Sequence, residues 1–277
     1  MEKLVIAAVY AHPDDGEIFA AGTLARWIDA GHEVHAICAT SGDLGTMRLD
    51  VSSEDLARTR AAELGRAMEA LGGTPPVLLG FPDGGLREHA PALKEQLVRA
   101  FRRLRVDRVV TFDPWKRYEI HPDHVTVGLV ASEAAAFACF PRLYPEHLAA
   151  GLPPHQPREV WYMMPTEHRP NRVVDVSKTF DRKVESLLCH ASQVEMLAGW
   201  FVPGADPTRL TPEQRADLRA GARRFLEQMA RRAASLAPAL ELAEAFYALS
   251  VGPGHFDNYQ AMFAETTGAP PEPIEVL

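Results

Sequence analysis

Two nearly matching words, His12-Pro13-Asp14-Asp15 and His121-Pro122-Asp123-His124, lie more than a hundred residues apart, and each follows a run that reads as a buried parallel strand. Leu4 to Tyr10 leads into the first, and Arg108 to Phe112 leads to the second through a short loop. A strand, a polar turn and a helix, met twice with the same residues in the turn, restrict the chain to an α/β fold with right-handed crossovers.

The rest of the first half agrees with that reading. Glu17 to Gly31 is spaced as an amphipathic helix, Val34 to Thr40 as a strand, and Ser53 is placed to cap a helix running to Leu71. Val77 to Leu79 then reads as a strand, Ala90 to Leu104 as a helix, and His121 to Cys139 as a helix with Pro122 in its first turn. The expected fold class is α/β, a Rossmann-like doubly wound, mostly parallel sheet with a helical C-terminal extension. In the strand order 3-2-1-4-5, strands one and four are neighbours, and ligands bind at their carboxyl ends. Both words would then face one crevice. Residues 140–171 read as a long surface excursion around a strand at Glu159 to Met164, followed by a strand at Val173 to Val176 and a helix at Phe180 to Leu197. Thr211 to Ser250 reads as mostly helical, split at Pro238. The expected division is a Rossmann-like core over 1–198 and a helical extension over 199–277, packed on the same domain or on a neighbouring subunit.

A chain of 277 residues that is 47% hydrophobic suffices for one large core. Its net charge of -8 argues against a nucleic-acid footprint, and its Arg-rich stretches, 99–108 and 215–232, read as solvated helix faces. Cys38, Cys139 and Cys189 are scattered and odd in number, as buried thiols would be. The N-terminal apolar run is too short for a signal peptide, and no stretch approaches the ~20 apolar residues needed to span a bilayer. The expected setting is cytoplasmic, with no nucleic acid or membrane as partner.

His12 and Asp15 on one tight loop, with a remote His124, make three protein ligands and leave a position open, the pattern of a catalytic rather than a structural zinc. Iron or cobalt suits the same donors. Asp14 is placed to take a proton from an attacking water, and His121, one turn from His124, to stabilise an oxyanion or protonate a leaving amine, with Asp123 holding its tautomer. Taken singly, either word is ordinary turn and helix-cap chemistry; the two together at one switch point are not.

The chain resembles the PIG-L/LmbE-like family of zinc-dependent N-acetylglucosaminyl deacetylases. The match runs through Ala11 to Asp15 with Glu17, Gly22-Thr23-Leu24, Thr40 to Thr46, Arg60 with Glu63, Phe81 to Gly84, His121 to His124, and His190 with Ser192-Gln193. Gly16 stands where many members have Glu. The resemblance implies Zn2+ on His12, Asp15 and His124, Asp14 as general base, His121 as oxyanion partner, and sugar contacts from Arg60 and Asp83. Asp113 to Glu119 and Tyr144 to His147 resemble the diacetylchitobiose deacetylase branch. That branch implies a homo-oligomer, hexamer or trimer, in which His255 enters a neighbour's site. The implied partner is a small-molecule amino sugar. An amidase acting on a thiol-sugar or antibiotic conjugate is the near alternative. A nucleotide-binding Rossmann protein is disfavoured because the first turn lacks a glycine-rich phosphate loop.

Overall fold

In the computed structural model, which describes residues 2–165, 169–252, 255 and 273–277, strand and helix alternate through the first half of the chain. β1 (Val5–Tyr10) precedes α1 (Asp15–Phe19) and α2 (Ala21–Asp29), and β2 (Glu33–Thr40) precedes α3 (Ser53–Ala70). β3 (Val77–Phe81) leads to α4 (Leu86–Leu104), and β4 (Arg108–Phe112) to α5 (Pro122–Phe137). Next come α6 (Glu146–Ala149), β5 (Glu159–Met163), β6 (Arg172–Asp175), α7 (Phe180–Leu188), α8 (Ala191–Met196) and α9 (Ala198–Phe201). The chain continues through α10 (Pro212–Ala234) and β7 (Ala243–Ser250) to β8 (Glu275–Val276).

Among the described residues these strands form one sheet, ordered β3-β2-β1-β4-β5-β7-β6-β8. The first five run parallel, whereas β7 is antiparallel to β5 and to β6. The order 3-2-1-4-5 is therefore present, and β1 and β4 pair directly, with Ile6 opposite Arg108 and Ala8 opposite Val110. Ile6 to Ala11 and Val109 to Phe112 are buried, as strands covered on both faces must be. Gly128 lets α5 approach β4, since a Cβ there would stand 2.4 Å from the carbonyl oxygen of Phe112.

Several expected boundaries move, two of them because a distant residue supplies a cap. The helix expected over Glu17 to Gly31 is two helices joined at Ala20, because the Glu244 carboxylate accepts the Gly22 and Thr23 N–H groups (3.1 and 2.8 Å) at the start of α2. Glu244 is itself paired with buried Lys183. α4 starts at Leu86 rather than Ala90, because the Asp123 carboxylate takes the N–H groups of Gly84 and Leu86 (2.6 and 3.0 Å). The cap of α3 is Ser52, not Ser53, its hydroxyl accepting the Asp55 N–H at 3.1 Å.

The largest correction concerns residues 243–250, expected to be helical. Ala-Glu-Ala-Phe-Tyr-Ala-Leu is a good helical composition, yet it forms β7 between β5 and β6, with Phe246 facing both Met163 and Arg172 in register. The 199–277 stretch thus supplies strands to the main sheet, and α10 packs on β7. A second correction concerns Arg102, which is buried rather than solvated. Its guanidinium donates to the carbonyls of Ala138 (2.9 Å), Phe140 (2.8 Å) and Leu143 (3.0 Å) and meets His147 Nδ1 at 3.1 Å, so it orders the start of the surface excursion. All three cysteines are free, with Cys38 alone buried.

Candidate active site

The first motif turns tightly off β1. The Asp15 N–H reaches the His12 carbonyl at 3.3 Å, and Asp15 Oδ2 accepts the His12 N–H at 2.7 Å. Between them Asp14 takes a φ of +130°, a conformation that side chains other than glycine rarely adopt and that marks stored strain. The second motif begins α5: Pro122 is its first residue, and His121 caps it, with Nδ1 accepting the Asp123 N–H at 3.3 Å.

The two motifs meet. His12 lies with its ring centroid 4.4 Å from His121 and 5.2 Å from His124. Asp15 stands between the two outer histidines, with Oδ2 3.4 Å from His12 Nδ1 and Oδ1 3.4 Å from His124 Nε2. His124 stacks on Phe112 at 4.1 Å and 9°, and on His121 at 4.6 Å and 23°. His12 Nε2 faces Asp83 Oδ1 (3.1 Å) and Asp123 Oδ2 (3.5 Å).

Burial opposes the Asp15 charge, but His124 and His12 on either side hold its carboxyl well below the usual range. Burial likewise opposes a charged His12, and the surrounding carboxylates of Asp15, Asp123 and Asp83 override it and raise its pKa well above the ordinary value. Asp14 is pushed up to about 6, chiefly by burial, with Arg60 pulling in the other direction. Burial and the neighbouring histidines lower His121, keeping it neutral. With Nδ1 committed to the helix cap, neutral His121 carries its hydrogen on Nε2 and is a donor there.

A divalent cation fits this set. Carboxylates and imidazoles converge at the buried ends of β1 and β4, and His12 Nε2 is a buried nitrogen without an aligned hydrogen bond. Ligand atoms of His12, His121 and His124, and separately those of His12, Asp83 and Asp123, lie within 4.8 Å of one another. The Asp15 carboxylate contacts both His12 and His124 and so offers a further donor beside them.

Other expected residues fall as follows. Arg60 lies beneath Asp14 at 3% exposure, donating to Asp14 Oδ1 (3.0 Å) and to the carbonyls of Pro13 (2.6 Å) and Gly42 (2.9 Å). Its slot requires Gly42, where a Cβ would stand 2.4 Å from the guanidinium. Asp83 reaches the site through His12 and also accepts the Leu44 N–H at 3.3 Å. Asp123 meets His121 through its backbone N–H; its carboxylate serves the start of α4 and His12 instead, which corrects the expectation that this side chain sets the His121 tautomer. His255 is exposed, and its sequence neighbours lie outside the described residues. Not anticipated were Phe112 against His124, Glu119 beside the same ring, and the fully buried pair Glu17–His190, 3.3 Å apart behind Asp14. The order of residues in the turn before His121 gives no sign of Glu119's direction. Glu17 and His190 were legible only as matched family positions.

A family model described as GlcNAc-PI de-N-acetylase, PIG-L, matches residues 7–135. The diacetylchitobiose deacetylase of Thermococcus kodakarensis is 34% identical over 188 residues, covering 68% of this chain and 69% of that protein. The 1D-myo-inositol 2-acetamido-2-deoxy-alpha-D-glucopyranoside deacetylase of Mycobacterium sp. (strain KMS) is 30% identical over 239 residues, covering 72% of this chain and 77% of its own. Among solved structures, the N,N'-diacetylchitobiose deacetylase of Pyrococcus horikoshii superposes with a TM-score of 0.76 at 26% identity, covering 92% of this chain and 86% of that one.

Proposed function

The chain belongs to the PIG-L family of de-N-acetylases, and on that premise we propose that it is a zinc-dependent N-deacetylase of GlcNAc-type amino sugars, releasing acetate and a free amine. The observation that carries this reading is the meeting of His12, Asp15 and His124 at the β1/β4 switch point, with Asp14 buried beside them. His12, Asp15 and His124 hold the metal. When bound, zinc supplies Lewis-acid polarisation of the acetamide carbonyl and lowers the pKa of a water.

Asp14 takes the proton of the attacking water. With a pKa of about 6 it is ionised at neutral pH yet close enough to the working range to be an effective base. Arg60 fixes that carboxylate and the turn carrying it through its bonds to Asp14 and the Pro13 carbonyl. The proton held by Asp14 is then available to the leaving amine. His121 donates its Nε2 hydrogen to the oxyanion that develops on the acetamide. Asp123 steadies His12 and the residues that begin α4. Asp83, just beyond β3 with its carboxylate against His12, takes a sugar hydroxyl.

The same proposal includes a homo-oligomer in which His255 completes a neighbour's sugar pocket. Large apolar side chains left exposed on the loops after β2 and β4 support it: Leu44, Met47, Leu49, Trp115, Tyr118 and Ile120, the last at 91% exposure. No helix among the described residues is long and apolar enough to cross a membrane.

The test of substrate is a panel of GlcNAc, N,N'-diacetylchitobiose and a GlcNAc–inositol conjugate, with released amine and acetate measured together. Equal amounts of both products from at least one of them are expected. No release from any, combined with cleavage of a thiol-conjugate amide, would replace this reading with the amidase one.

A further inference from the structure

Asp15 faces one nitrogen of the His124 imidazole, and a second carboxylate faces the other. Glu119 Oε2 lies 3.4 Å from His124 Nδ1, on the opposite edge of the ring from Asp15 Oδ1, which lies 3.4 Å from Nε2. Glu119 is not free to swing. Its Oε1 accepts the His121 N–H at 3.0 Å, and its Oε2 takes Lys116 Nζ at 3.0 Å. Both side chains of that ion pair are largely buried.

The loop is wound to put Glu119 there. The Lys116 N–H reaches the Asp113 carbonyl (3.3 Å), and the Glu119 N–H reaches the Lys116 carbonyl (3.2 Å), so two consecutive turns fold the segment back over α5. Tyr118 takes a φ of +62°, a left-handed conformation unfavourable for tyrosine, and stands 89% exposed while the next residue points inward. Strain at one residue that reverses the direction of the next is the kind retained where the resulting placement matters. The ring itself stacks on both Phe112 and His121, which restricts its rotation.

We infer that Glu119, braced by Lys116, is a positioning residue for the metal: its carboxylate, 3.4 Å from His124 Nδ1, favours the tautomer with the hydrogen on that nitrogen and so directs the Nε2 lone pair to the ion. A histidine ligand gains basicity and a fixed tautomer from a carboxylate on its other nitrogen, and loss of such a partner typically weakens metal binding by about 10–100-fold. The inference rests on the reading of His124 as a zinc ligand. Glu119 touches neither metal nor substrate, and its contribution is to affinity.

The test is retention of zinc by the full-length protein against a rising concentration of a chromophoric chelator, for the unsubstituted chain and for Glu119→Ala, Glu119→Leu, Glu119→Gln and Lys116→Met. Glu119→Ala and Glu119→Leu are each expected to weaken zinc binding about 10–100-fold. The leucine fills the volume without offering an acceptor, so it decides the matter if the alanine variant does not fold. Glu119→Gln, which keeps an acceptor, is expected to recover most of the loss, and Lys116→Met to weaken binding by a smaller factor than Glu119→Leu. Leucine and alanine variants that hold zinc as tightly as the parent, or a glutamine variant as weak as leucine, would overturn the inference. An unsubstituted chain that holds no more zinc than His124→Ala would instead remove the metal reading, and this inference with it.

Discussion

Asp14 Oδ1 lies 3.0 Å from Arg60 Nη2, and both side chains are buried. A carboxylate locked against a guanidinium would ordinarily be depressed in pKa, yet burial outweighs the pair and leaves Asp14 raised to about 6. The pair therefore fixes the carboxylate in space without removing it from the useful range of a base.

That balance predicts a pH signature. Deacetylation requires ionised Asp14, so kcat/KM should fall as pH drops through the region of its pKa. Arg60 lowers that pKa, so Arg60→Gln should move the acid limb of the profile to higher pH while zinc content stays at the parent level. An acid limb that stays in place or moves down would show that Arg60 does not act through Asp14.

The two adjacent aspartates should separate cleanly. Asp14→Asn is expected to retain zinc and to lose about 10²–10⁴ in kcat, the range of a general acid–base group. Asp15→Ala should lose the zinc. Metal analysis beside steady-state kinetics checks both, and a zinc-free Asp14→Asn would reverse the assignment of roles.

Glu244 joins the last third of the chain to the start of α2 and is paired with buried Lys183. Glu244→Ala leaves an uncompensated buried ammonium and two unpaired N–H groups, and should destabilise by about 3–5 kcal/mol, read from denaturant unfolding. Lys183→Met leaves Glu244 with its two backbone donors and should cost less. Equal losses from the two variants would contradict the capping role.

The oligomer is open to a mixing experiment. Sedimentation should show a species much larger than a monomer, and mixing inactive Asp14→Asn with His255→Ala chains should restore some activity. A fully active monomer, or a fully active His255→Ala, would end that part of the proposal.

The sequence carries the central fold because hydrophobic runs and their spacing are local properties: β1, β2 and β4 sit where their apolar residues require, and the two His-Pro-Asp words follow two of them. What escapes a linear reading is what depends on a distant partner. β7 has a helical composition and becomes a strand because a gap between β5 and β6 receives it. Arg102 reads as one of a solvated arginine series until the carbonyls of Ala138, Phe140 and Leu143 converge on it. Asp123 is adjacent to His121's neighbour in sequence, but its carboxylate is claimed by Gly84 and Leu86, some forty residues back. Glu119 is equally hidden, since only the left-handed Tyr118 turns it toward His124.

The central claim is that His12, Asp15 and His124 hold a zinc on which deacetylation depends. Metal-free protein titrated with zinc should gain N,N'-diacetylchitobiose deacetylation up to a plateau at about one zinc per chain, the stoichiometry of a single three-ligand site with an open position. Full activity before any zinc is added, with no metal detectable in the protein, would contradict it.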